Sequence, residues 1–129
     1  SDGQGRSRKK EHLEDSEYVD AEGEVKVKKG ITFNPFLKTK LVGVLGSSFI
    51  KQSPDKCVYR KIYDDYKHRL EHMDAHKEKS KGHRHNMAVR YMVKMFLVDL
   101  YNAWRRIEGL PVAPTYSEAK LGKVHKIAA

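Results

Sequence analysis

The chain has 129 residues, enough to bury one hydrophobic core and too few for two. Its 26 basic and 17 acidic side chains leave a formal charge of +9, which points to polyanionic partners such as DNA, RNA or an acidic membrane surface and carries no information on fold. One cysteine, Cys57, excludes an internal disulfide, and no apolar run approaches the roughly 20 residues of a membrane span.

The charge is uneven along the chain. Residues 1–30 hold 7 basic and 8 acidic side chains, whereas residues 31–129 hold 19 and 9. The positive field therefore belongs to the second region. Residues 1–16 form a basic Gly/Arg segment in which Gly3 and Gly5 stand beside Arg6, Arg8, Lys9 and Lys10. Exposed glycine amides with flanking arginines suit phosphate contact, and a solvated terminus is the alternative. At 17–29, Val25 and Val27 alternate with Lys26 and Lys28 after a turn at Gly23, the period of a strand. A short two-stranded hairpin is expected there.

Three main helices follow. Asn34-Pro35 is a start signal, since asparagine caps free amides and proline is tolerated in the first turn. Phe36, Leu37, Leu41, Val44 and Leu45 then recur at helical spacing to about Ile50. Ser53-Pro54-Asp55 opens a second, amphipathic helix over 55–73, with Val58, Ile62, Tyr63 or Tyr66, and Leu70 inward. Residues 74–84 read as a polar, basic loop. The strongest helical pattern spans 85–108, apolar around most of its circumference and so expected to be largely buried, with Arg90, Lys94, Arg105 and Glu108 as a narrow polar strip. Gly109 stops it, and Pro111 and Pro114 prevent resumption. A short turn over Ser117–Leu121 and a basic tail over 122–129 complete the chain. The expected fold is mainly α, a small helical domain over 30–121 behind the hairpin.

The chemistry-bearing residues fall into three groups. Arg90, Lys94 and Arg105, with Lys81, His83 and Arg84 of the preceding loop, can track a phosphate backbone, each neutralised phosphate releasing a counterion. An ordinary solvated helix face is the alternative. A membrane-surface reading needs an exposed apolar face that the core already claims. His68 and His72 share a helical face and could hold a metal, but no recognised ligand spacing accompanies them and no metal site is expected. Among nucleophiles, Cys57 lies at a helix start and reads as structural. Ser1 and Ser7 lie in the arginine-rich segment, where a hydroxyl could attack phosphate beside guanidinium groups. Asp64-Asp65 is a local pair and makes no two-metal constellation.

Several stretches carry a resemblance. They are Gly-Ile-Thr-Phe-Asn-Pro-Phe-Leu-Lys-Thr-Lys-Leu-Val-Gly-Val-Leu (30–45), Tyr-Arg-Lys-Ile-Tyr-Asp-Asp-Tyr-Lys-His-Arg-Leu (59–70) and Lys-Gly-His-Arg-His-Asn-Met-Ala-Val-Arg-Tyr-Met-Val-Lys-Met-Phe-Leu-Val-Asp-Leu-Tyr (81–101). Over about residues 28–108 the chain resembles the C-terminal domain of insertion-sequence transposases whose N-terminal domain is a DEDD, Holliday-junction-resolvase-like fold. Gly82, His83, Ala88, Arg90 and Lys94 stand at the family's Gly-His and Ala-x-Arg/Lys steps. Members are RNA-guided recombinases with a serine nucleophile in this domain.

The resemblance implies DNA transposition as the activity, with DNA and a guide RNA as ligands. It implies no membrane, a homo-oligomer in the full-length parent, and a prokaryotic, nucleoid-associated cytoplasmic setting. The family's serine precedes a glycine. Here the nearest counterparts are Ser1, before Asp2-Gly3, and Ser7, between Arg6 and Arg8, so both stand as catalytic candidates and neither matches the pattern. The hairpin reads as an insertion between the serine segment and the glycine turn. The nucleic-acid-binding candidates are Arg6, Arg8, Lys38, Lys81, His83, Arg84, Arg90, Lys94 and Arg105. The chain starts without methionine, on a polar stretch unlike a signal peptide, and reads as a fragment whose DEDD carboxylates lie upstream. It is then not expected to be active alone. No cofactor is expected within it, and any Mg2+ would belong to the parent. The other readings are a non-catalytic nucleic-acid-binding module and a metal-binding or helix-partner protein built on the histidines and the Met-rich helix.

Overall fold

The structure, a computed structural model, describes residues 10–122. It is mainly α-helical, with three main helical stretches behind an N-terminal β-hairpin. The chain divides into two compact units between Lys38 and Thr39.

In the first unit, β1 (Leu13–Val19) and β2 (Val25–Ile31) pair antiparallel, from Val19 opposite Val25 to Leu13 opposite Ile31. The hairpin is therefore longer than the expected 17–29, and it takes in Leu13–Ser16 from the stretch read as a basic segment. Lys10–His12 form a single 3-10 turn ahead of it. The physical reason is that both faces of the ribbon are largely exposed. Neither face selects apolar residues, so no alternation marks the strand ends, and Glu14, Asp15 and Glu17 hide β1. Its turn is set locally. Asp20 Oδ1 accepts from the N–H groups of Glu22 (3.0 Å) and Glu24 (2.9 Å), and Gly23 adopts a left-handed φ of 83° that glycine accepts without strain. The Lys26 ammonium beside Asp20, with the Glu24 amide next in weight, holds the Asp20 carboxyl below its usual range. The expected cap at Asn34 is present: its Oδ1 accepts from Leu37 N–H at 3.0 Å, and α1 (Pro35–Thr39) follows.

The second unit contains a π-helical segment (Lys40–Leu45), α2 (Gly46–Ile50), α3 (Val58–His72), α4 (Asp74–Lys77), α5 (Lys81–Ile107) and α6 (Tyr116–Leu121). Its core is Tyr63 from α3 with Ala88, Val89, Met92 and Val93 from α5, closed by Leu41, Val42, Phe49, Ile50, Tyr59 and Tyr66. Rings of Phe49, Tyr59 and Phe96 meet pairwise at 5.0–5.4 Å, within the range of favourable aromatic pairing. The π-helical segment differs from the plain helix that the apolar spacing predicts. There Gly46 N–H donates to Leu41 O, one residue further back than in an α-helix, and the absent side chain lets Gly46 lie against Val89.

Three expectations are corrected. Helix α3 begins at Val58 instead of 55, because Lys56 and Cys57 donate back to Ser53 O in a turn; Val58 is consequently exposed. Residues 74–84 are not one loop. They contain α4, which includes His76, and the first turn of α5. Ser80 caps α5 by accepting from His83 N–H, a start signal masked by the surrounding basic residues. Finally, α5 is buried only along its first half. Leu97, Leu100, Tyr101, Trp104 and Ile107 are exposed, Ile107 by 84%. The reason is length: at about 1.5 Å per residue, α3 with 15 residues covers only part of α5 with 27.

Candidate nucleic-acid interface

The two ends of α5 are defined by local chemistry. Ser80 supplies the cap at the start. At the other end Gly109 N–H donates to Arg106 O (3.1 Å) and Leu110 N–H to Arg105 O (2.8 Å). With Gly109 left-handed at φ 65°, this is the double bond pattern that closes helices at glycine. Between them the helix turns about 100° per residue, so Arg90, Lys94 and Arg105 fall within about 60° of one another, and His83 projects along the same strip. The buried residues Ala88, Val89, Met92 and Val93 occupy the opposite face. The expected basic strip therefore forms, spread over about 22 Å of helix axis.

Its members are not equivalent. Lys94 Nζ donates to Ser117 Oγ at 3.0 Å, joining α5 to α6. Arg105 Nε donates to Pro111 O at 2.8 Å, and its guanidinium lies 5.7 Å from the Tyr101 ring centre. Tyr101 Oη accepts from Ala113 N–H at 3.3 Å. These contacts stitch residues 111–117 along α5. The acceptor of Arg105 is a neutral carbonyl, which orients the cation without cancelling its charge. Arg90 is exposed.

Arg84 departs from the strip. It lies on another side of the helix and donates from Nη1 to the carbonyls of His76 (3.4 Å), Lys77 (3.2 Å) and Lys79 (2.5 Å). It thus satisfies the loose carbonyls at the end of α4. Arg60 serves α2 in the same way, bonding Ile50 O while pairing with Asp64 at 2.8 Å. On α3, Lys61 pairs with Asp65 at 2.6 Å, and on α4 Lys77 pairs with Asp74 at 2.6 Å. Arg60, Lys61 and Lys77 are thus answered by acids of their own helices, whereas Lys67 and Arg69 lie over the Tyr63 and Tyr66 rings.

The remaining sequence candidates are dispersed. Lys81 is exposed on the first turn of α5. Lys38 belongs to the first unit, with its Nζ 5.0 Å from the Phe33 ring centre. Ser1, Ser7, Arg6 and Arg8 lie outside the described residues. His68 and His72 do share a face, with ring centres 4.2 Å apart, but His72 Nδ1 bonds His68 O. Among the described residues no three metal-ligating side chains gather. His85, two residues beyond His83, is turned inward: its Nδ1 is 2.7 Å from Tyr63 Oη. Sequence reasoning passed over Asn86, Ser80 and Ser117. Asn86 was legible, since it stands three residues after His83 and four before Arg90, the spacing of side-chain neighbours on a helix. No described helix is long and apolar enough to cross a membrane.

No protein-family model matches this chain, and neither a curated protein nor a solved structure does.

Proposed function

We propose that this chain is the C-terminal, nucleic-acid-handling part of a transposase acting in DNA transposition, and that it holds the polynucleotide along the outward face of α5. The observation that carries the reading is the strip itself: Arg90, Lys94 and Arg105 share one face over about 22 Å. A small anion would need cations that converge on a point. A linear array suits a linear polyanion, where each neutralised phosphate releases a condensed counterion. The family resemblance of residues 28–108 adds DNA, with a guide RNA, as that polyanion, and a homo-oligomer as the state of the full-length parent.

The test is a salt titration of the whole chain binding a DNA duplex, read by fluorescence anisotropy. Three phosphate contacts predict a slope of log K on log salt near −2.7. Between about 50 and 200 mM salt the affinity should then fall about 40-fold. An affinity that hardly moves over that range overturns the proposal.

A further inference from the structure

A shallow depression of about 370 Å³ opens beside the start of α5, lined by Ser80, Gly82, His83, Asn86 and Arg90. Its three largest side chains follow at three- and four-residue steps, so they project from one face of the helix. All three are exposed. Among the described residues, none of the three side chains has a hydrogen-bond or ion-pair partner. This separates them from Arg60, Arg84, Lys94 and Arg105, each of which is held by a structural contact. No carboxylate lines the depression. A second hollow on α5, of about 320 Å³, is different in kind: Met95, Val98, Val112, Ala113 and Pro114 make it apolar, and Glu118 lines it as well.

The set is rich in donors. The Arg90 guanidinium only donates, in a fork that matches two oxygens of one phosphate or carboxylate. Asn86 contributes two amide N–H donors beside one acceptor oxygen, and neutral His83 one ring N–H beside one acceptor nitrogen in either tautomer. Donors outnumber acceptors around a depression without an acid, which suits an anionic, acceptor-rich ligand. We propose that this depression seats a single phosphodiester group of the bound strand, with Arg90 gripping two oxygens and Asn86 and His83 bonding the same group. This inference rests on the proposed function and sharpens it. The rest of the strip supplies field, while this end supplies a fixed point that sets the register of the strand on α5.

The discriminating variant is neutral. Asn86→Ala leaves the charge unchanged, so a diffuse field predicts no effect from it. A seat predicts about fivefold weaker duplex binding by the whole chain, as for the loss of one hydrogen bond of about 1 kcal/mol, with the salt slope unchanged. Arg90→Ala should weaken binding about tenfold and make the slope shallower by about one. Arg106→Ala, an exposed arginine of α5 outside the depression, removes the same charge and should cost less than about twofold. Addition of inorganic phosphate to the ¹⁵N-labelled chain should shift the Asn86 side-chain amide resonances, and should not do so in Arg90→Ala. All three substituted side chains are exposed, and a thermal melt checks that each variant folds. If Asn86→Ala binds like the parent chain, or Arg106→Ala costs as much as Arg90→Ala, the seat is overturned and the electrostatic reading stands. If the parent chain shows no salt-dependent binding, both fall together.

Discussion

Tyr59 donates its phenolic proton to Asp99 Oδ2 at 2.9 Å, joining residues 40 positions apart. The bond ties the start of α3 to the middle of α5, beside the Phe49–Tyr59–Phe96 ring cluster. The hydroxyl is partly withdrawn from water, and a partner there offsets the cost of leaving it unpaired. It also sits where the apolar packing of α5 gives way to its exposed half.

This bond predicts how the protein behaves in alkali. Burial, and then the hydrogen bond to Asp99, push the Tyr59 phenol up from 10.0 to about 12. A folded value above the unfolded one gives stability that is whole below pH 10 and is lost as pH rises through about 12. Tyr59 should therefore ionise late in an absorbance titration, and the folded state should weaken over that same interval. Tyr59→Phe should remove the late step. A late step that persists unchanged in Tyr59→Phe would contradict the assignment.

The contact of Gly46 with α5 gives a second prediction. A Cβ there would lie 3.0 Å from Val89 Cγ1 and 3.7 Å from Val93 Cγ2. Two effects compete in Gly46→Ala: a gain in helix propensity of up to about 1 kcal/mol and an overpacking cost of about 1–3 kcal/mol. Val89 is buried at 3% exposure and β-branched, hence stiff at χ1, so it has little room to give. Gly46→Ala should therefore destabilise by about 1 kcal/mol in urea denaturation. In a Val89→Ala background the same change should become neutral or stabilising. A higher urea midpoint for Gly46→Ala alone would show that the contact yields.

The hairpin turn responds to acid. Because Lys26, and next the Glu24 amide, lower the Asp20 carboxyl, its contribution is present above the ordinary value of 3.8 and is lost as pH falls through the lower folded value. Amide-exchange protection at Glu22 and Glu24, whose N–H groups Asp20 accepts, should drop on acidification below that ordinary value. Asp20→Ala should reduce the protection at neutral pH. Unchanged protection in Asp20→Ala would remove the carboxylate from its place in the turn.

What could be read directly from the residues was what neighbours in sequence decide. Asn34, Gly23 and Gly109 act within four residues of themselves, through caps and left-handed turns. The 3.6-residue repeat likewise fixed which residues share a face of α5, and so placed Arg90, Lys94 and Arg105 together. What depended on distant partners could not be read. Arg84 carries the same charge as Arg90 and lies six residues before it, yet His76, Lys77 and Lys79 claim it because a short helix ends beside it. His85 looks like part of a basic run until α3 brings Tyr63 to its ring. The apolar pattern of α5 announced a largely buried helix, and the shorter reach of α3 left Trp104 and Ile107 in solvent. A helical period assigns a side chain to a face. Whether that face meets a neighbour, a carbonyl or water is settled by where the other helices end.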